Sequence, residues 1–227
     1  MTQASGDAHG HDDHHHDHDH DHDHGHAHSP PQPDDKVHSY YQILGVALKE
    51  LLIEKGVVSA DEVRAAIEAR DSITPANGAK VVARAWIDPA YRERLLKDAN
   101  AATAELGYPM HTTHLVALEN TDTVHNVVVC TLCSCYPREL LGLPPAWYKS
   151  KAYRARIVRE PRAVLEEFGT PVPDSVELRV RDSTADLRYI VVPQRPEGTQ
   201  GLGEDELAKL VSRDAMIGVA RAKAPQA

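Results

Sequence analysis

The sequence predicts a mixed α+β fold, and three observations carry that prediction. Between Ser39 and Gly107 apolar residues recur at three- and four-residue spacing, the period of helices that bury one face. After Gly107 the period shortens, and residues 115–118, 124–129, 176–180 and 187–192 read as strands. All three cysteines, Cys130, Cys133 and Cys135, fall on the connection leaving the second of these strands. The organisation expected is a tail and linker over 1–38, a helical segment over 39–107 and an α+β metal-binding domain over 108–227.

Residues 1–28 hold eleven of the fifteen histidines, alternating with aspartate from His14 to His24. Such a segment has too little apolar surface to offset its ordering entropy and is expected to be disordered. Imidazole and carboxylate at this density suit loose capture of divalent cobalt, nickel or zinc, and a solubilising tail is the plainer alternative. Ser29-Pro-Pro-Gln-Pro33 reads as an extended linker.

The formal charge of −9 belongs to this tail: residues 1–35 carry nine aspartates and no Lys or Arg, leaving 25 acidic against 25 basic residues in 36–227. A balanced body has no nucleic-acid footprint and suits burial against a partner. No apolar run approaches the roughly 18 residues of a membrane span. No basic start leads into an apolar stretch, and clustered cysteines without an export signal point to a reducing cytoplasm.

The first helix is expected from Ser39 through Ile43, Leu44, Ala47, Leu48, Leu51 and Leu52, stopped by Gly56. Ser59-Ala-Asp-Glu62 has capping-box spacing and opens a second. Asn77 is expected to cap a third, through Val81, Val82, Ala85 and Trp86. Asp88-Pro89 starts a fourth, running past Leu95 and Leu96 to Gly107. Their narrow apolar stripes suit either a small bundle or an arm laid across another subunit.

Strand 124–129, three valines deep, is expected to be buried on both faces. Val176, Leu178 and Val180 alternate with Glu177, Arg179 and Arg181. With 182–186 as a turn, 187–192 is expected to return as a hairpin. Helices are expected around 150–159, over 161–168 between Pro161 and Gly169, and over 204–211.

Three thiols within six residues cannot be a disulfide framework, because one is always left over. Pro137 followed by Arg-Glu-Leu-Leu predicts a short helix immediately after them, with its positive end favouring thiolate. A structural zinc site wants four ligands, and the nearest imidazole is His125, five residues before Cys130. The amide nitrogens of Ser134 and Cys135 lie within bonding distance of an ion held by these sulfurs. Deprotonated, they would complete a square with two sulfurs, leaving the third axial and one position open. Only a strongly Lewis-acidic, trivalent ion displaces amide protons, and its open position points to polarising a substrate or activating water. On spacing alone a catalytic metal, an incomplete structural zinc site and a Cys130–Cys133 redox pair all remain open.

Val129-Cys-Thr-Leu-Cys-Ser-Cys-Tyr-Pro137 resembles the metal claw of the nitrile hydratase alpha subunit. The likeness extends to Leu141-Gly-Leu-Pro-Pro-Ala-Trp-Tyr-Lys149, Tyr153-Arg-Ala-Arg-Ile-Val-Arg-Glu-Pro-Arg162, Leu187-Arg-Tyr189, Pro193-Gln-Arg-Pro-Glu-Gly-Thr199 and Arg213-Asp-Ala-Met-Ile-Gly218, so it covers roughly residues 40–220. The resemblance implies low-spin Co(III), held by the sulfurs of Cys130, Cys133 and Cys135 and the backbone nitrogens of Ser134 and Cys135. Cys133 would be sulfinic and Cys135 sulfenic. Thr131, where iron-type members usually carry Ser, indicates cobalt rather than iron. The implied reaction hydrates a small nitrile to its amide, with Cys135 and Ser134 at the reacting centre and Arg188 beside it.

The resemblance further implies a helical arm followed by a four-layer α-β-β-α domain. It implies a beta-subunit partner, in a heterodimer or an alpha2-beta2 tetramer, and an activator or cobalt-loading protein. Two positions depart from the family pattern: His111 stands where Gln is common, and Arg138-Glu139 replaces Trp-Pro or Arg-Pro. Two other functions compete. The gamma subunit of thiocyanate hydrolase shares the claw, Cys-Tyr-Pro-Arg and a His/Asp-rich tail. A non-catalytic cobalt-binding protein would use only claw and tail.

Overall fold

A computed structural model describes residues 39–225, so the His/Asp tail and its linker lie outside the described residues. The chain divides into two units, 1–54 and 55–227. In the first, α1 (Tyr40–Glu54) leaves its apolar side chains, Ile43, Leu44, Leu48 and Leu51 among them, exposed; the left-handed Gly56 follows two residues after its end.

The second unit opens with α2 (Ala60–Asp71), begun by the expected capping box: Glu62 N–H donates to Ser59 Oγ, and Ser59 N–H to the Glu62 carboxylate. α3 (Pro75–Ile87) starts from Thr74, with Pro75 in its first turn, so Asn77 lies inside the helix rather than capping it. Proline, with its φ preset for the first turn, starts the helix where a capping asparagine was expected. α3 buries Ala79, Val81, Val82, Ala83 and Ala85. A Cβ on its Gly78 would stand 2.3 Å from Leu141 Cδ2, so α3 lies close against the chain beyond the cysteines. The fourth helix also differs from expectation. α4 (Pro89–Lys97) ends at Asp98, whose side chain caps Ala101 N–H and starts α5 (Ala99–Glu105). A competing N-cap divides what apolar spacing reads as one helix.

Four strands form two parallel pairs. β1 (His114–Glu119) pairs with β4 (Leu187–Val192), Leu115 opposite Arg188. β2 (Val124–Val129) pairs with β3 (Glu177–Asp182), Val129 opposite Asp182. The expected hairpin between 176–180 and 187–192 is therefore absent: the strands exist, but each turns to a different partner. Ser183 N–H donates to Val129 O, which carries β3 past the end of β2, while His114 N–H donates to Asp186 O and opens the β1–β4 ladder. β2 also contacts β1 and β4, and Val127, Val128 and Val129 have no exposed surface, as their unbroken apolar run requires.

The rest is helical: α6 (Arg138–Leu141), α7 (Ala146–Lys149), α8 (Lys151–Arg156), α9 (Pro161–Glu167), α10 (Glu204–Leu210) and α11 (Arg213–Ile217). α11 ends at Gly218 with φ 86°, where a Cβ would fall 2.0 Å from Asn126 O, so only glycine lets this turn approach β2. The described part is mixed α+β, with the cysteines at the exit of its most buried strand.

Candidate metal centre

β2 delivers Cys130 with no exposed surface, and the chain then leaves the core: Leu132 is 87% exposed and Cys133 is exposed. The three Sγ atoms lie within 4.8 Å of one another, Cys130 to Cys133 at 3.6 Å and Cys133 to Cys135 at 3.0 Å. Among the described residues this is the one such group of possible metal donors. Its backbone is unusual at one point. Ser134 is the sole non-glycine described with positive φ, at 70°, a region that L residues enter at a cost on the order of 1–3 kcal/mol. Its hydroxyl donates to Cys133 O.

Neighbours hold this turn. Asp182 accepts from Thr131 N–H at 2.9 Å and from Thr131 Oγ1 at 2.6 Å. Arg154 Nη1 donates to Leu132 O at 3.0 Å and Thr131 O at 3.3 Å. Tyr148 Oη donates to Cys135 O at 2.8 Å, and Tyr153 Oη to Val128 O at 2.7 Å. Sequence reasoning assigned no role to Asp182, Arg154, Tyr148 or Tyr153. The first three sit 51, 22 and 13 residues from the groups they hold. Only the extent of the resemblance drew attention to two of their segments.

Burial pushes the Cys130 thiol up, but the N–H groups of Cys133, Cys135 and Leu132 and the Cys133 thiol bring it down to about 7. Burial and the hydrogen bond with Cys133 push Cys135 up to about 12, against the pull of the Arg188 charge. The lowering of Cys130 thus comes from N–H groups of the loop itself, since α6, present as expected, is only four residues long. Three sulfurs this close cannot all be thiolate without a cation between them. A strained Ser134, which keeps the loop wrapped round its sulfurs, and three converging soft donors fit a metal ion.

Arg188 brings its charge to Cys135 from the start of β4 and donates through Nη1 to Thr184 O and, at 3.2 Å, to Leu187 O. His125 is elsewhere: its Nε2 lies 2.7 Å from Gly218 O and its Nδ1 3.3 Å from Asn120, and it lines a separate cavity of about 520 Å³ with Arg195 and Arg221. Burial holds its pKa below the usual value. His111 is exposed, and its N–H donates to Glu139.

The family model "Nitrile hydratase, alpha chain" matches residues 39–220. The chain is 52% identical over 192 residues to the high-molecular weight cobalt-containing nitrile hydratase subunit alpha of Rhodococcus rhodochrous, covering 83% of this chain and 95% of that one. It is 46% identical over 202 residues to the thiocyanate hydrolase subunit gamma of Thiobacillus thioparus, covering 84% and 83%. A solved recombinant thiocyanate hydrolase comprising partially modified cobalt centres superposes with TM-score 0.76 at 44% identity, over 82% of this chain and 92% of that one.

Proposed function

This chain belongs to the nitrile hydratase alpha-chain family, and we propose that it is the cobalt-holding subunit of an enzyme that hydrates nitriles to amides. The observation that carries this is the convergence of Cys130, Cys133 and Cys135 on one point, round a Ser134 held in the left-handed region. The sulfurs of the three cysteines and the backbone nitrogens of Ser134 and Cys135 would hold the ion. When bound, trivalent cobalt supplies a strong Lewis acid with a position for the nitrile.

The chain's own groups prepare that position. Tyr148, Arg154 and Asp182 occupy the carbonyls and N–H that would otherwise let the loop relax, so its geometry is set before substrate arrives. Arg188 keeps positive charge beside Cys135 and stabilises negative charge on an oxidised sulfur. The sequence segments shared with the family support a sulfinic Cys133 and a sulfenic Cys135. The exposed Cys133 and Leu132 leave the pocket to be finished by a beta subunit, in a heterodimer or alpha2-beta2 tetramer. The exposed apolar face of α1 suits the same partner, and α1 is a stretch of the arm expected over 39–107 whose apolar side chains are left uncovered. Two parallel strand pairs with helices packed against them support reading 108–227 as a four-layer α-β-β-α domain. A cobalt-loading protein would deliver the metal. Among the described residues no helix is long and apolar enough to cross a membrane.

Co-expression with a beta subunit in cobalt medium, followed by assays on an aliphatic nitrile and on thiocyanate, tests this. Amide formation is expected. Turnover of thiocyanate alone would assign the chain to the thiocyanate-hydrolysing branch, and turnover of neither by a fully metallated, oxidised complex would make it a cobalt-binding protein.

A further inference from the structure

The two positions that depart from the family pattern, His111 and Glu139, are the two ends of one contact. Glu139 lies in the first turn of α6, four residues beyond Cys135 and so within about 15 Å of it along the chain. Its carboxylate accepts from His111 N–H at 3.1 Å, from Thr112 N–H at 3.2 Å and from Thr113 Oγ1 at 3.0 Å. Burial alone would raise its pKa, but these bonds hold it below the ordinary carboxylate value. The bend at 111–113 has no ladder of its own. Among the described residues the His111 and Thr112 N–H groups meet no backbone carbonyl, and Glu139 is what satisfies them.

The far end of the bend is fastened too. Asn100 donates to Thr113 O at 3.1 Å and accepts from Leu115 N–H at 2.7 Å, and His114 N–H donates to Asp186 O at 2.8 Å. Two residues past Asp186 stands Arg188, whose charge acts on Cys135. The bend is therefore bracketed by the helix that leaves the claw and by the strand that brings the arginine to it. The side chains of His111 and Thr112 are exposed, so they contribute little to the core.

We infer that Glu139 is a positioning residue, which fastens the 111–113 bend between the helix that leaves the claw and the strand that carries Arg188, and so sets which nitriles reach the claw. The inference rests on the function proposed above. A proline at 139 offers no acceptor, and the bend would then hang from Asn100 and Asp186 alone.

The test uses the cobalt-loaded complex with its beta subunit and compares wild type, Glu139→Ala and Glu139→Gln. Hydrogen exchange at the His111 and Thr112 amides is expected to quicken about ten-fold or more in Glu139→Ala, with cobalt content kept. The ratio of kcat/KM for a bulky aromatic nitrile to that for a small aliphatic one is expected to shift about five-fold, mostly through KM. Glu139→Gln, whose amide oxygen still accepts, should return both readouts toward wild type. Unchanged exchange in Glu139→Ala, or faster exchange with an unchanged ratio, would overturn the inference. If Glu139→Ala does not assemble, Thr113→Val removes one donor and is judged by the same two readouts. A wild-type complex that hydrates no nitrile would defeat the functional premise, and the exchange rates would still decide whether Glu139 fastens the bend.

Discussion

Residues 127–129 and 131–135 are neighbours in the chain and opposites in construction. Val127, Val128 and Val129 are wholly buried, laddered to β3 and held by apolar packing. The next residues lie outside any ladder. They hold one strained φ and depend on a few hydrogen bonds with Asp182, Arg154 and Tyr148. The difference teaches how a reactive loop can be both exposed and exact. The strand fixes where the loop starts, and distant polar side chains fix its shape, so stability and metal geometry rest on separate residues.

Substitutions can break that separation. Cys133→Ala has the largest expected effect: cobalt retention is lost, by metal analysis of the purified complex, while the unfolding temperature of the metal-free chain barely moves. A variant holding stoichiometric cobalt would remove Cys133 from the ligand set. Asp182→Ala comes next, with a loss of about 10- to 100-fold in cobalt affinity or kcat, the usual cost of losing a residue that orients a ligand loop. If denaturant unfolding showed that it mainly destabilises the fold, the division between strand and loop would fail.

Val128→Ala should do the reverse. Removing two buried methyl groups costs about 2 kcal/mol of stability by denaturant melt, with kcat of the surviving complex little changed. Deleting residues 1–28 has the smallest effect: activity at saturating cobalt stays intact, and metal loading slows only when cobalt is scarce. Equal loading by both forms would leave the histidines merely solubilising.

How much of this was legible in the residues followed the same division. Most local signals reported faithfully: the Ser59 capping box, Asp88-Pro89, the valine run of β2 and the helix after Pro137 stand where their chemistry puts them, while Asn77 caps nothing and Asp98 divides the fourth helix. The pairing of β3 and β4 did not, because a period of two states which side chains share a face and says nothing of the partner. The connection at 182–186 resembles a hairpin turn, yet its first residue, Asp182, is spent on Thr131. The three cysteines announced the claw by proximity alone. Asp182, Arg154 and Tyr148 converge on it only once the chain has folded, and no spacing rule reaches across such separations. Glu139 and His111 were visible only as departures, and folding made them a pair.

The central claim is that the turn after β2 holds cobalt through three sulfurs and carries oxidised cysteines. Mass spectrometry of the peptide spanning Cys130 to Cys135, alongside metal analysis of the active complex, tests it most directly. Stoichiometric cobalt, an unmodified Cys130, a sulfinic Cys133 and a sulfenic Cys135 are expected. Stoichiometric zinc with three unmodified thiols, in a complex that still hydrates nitriles, would contradict it.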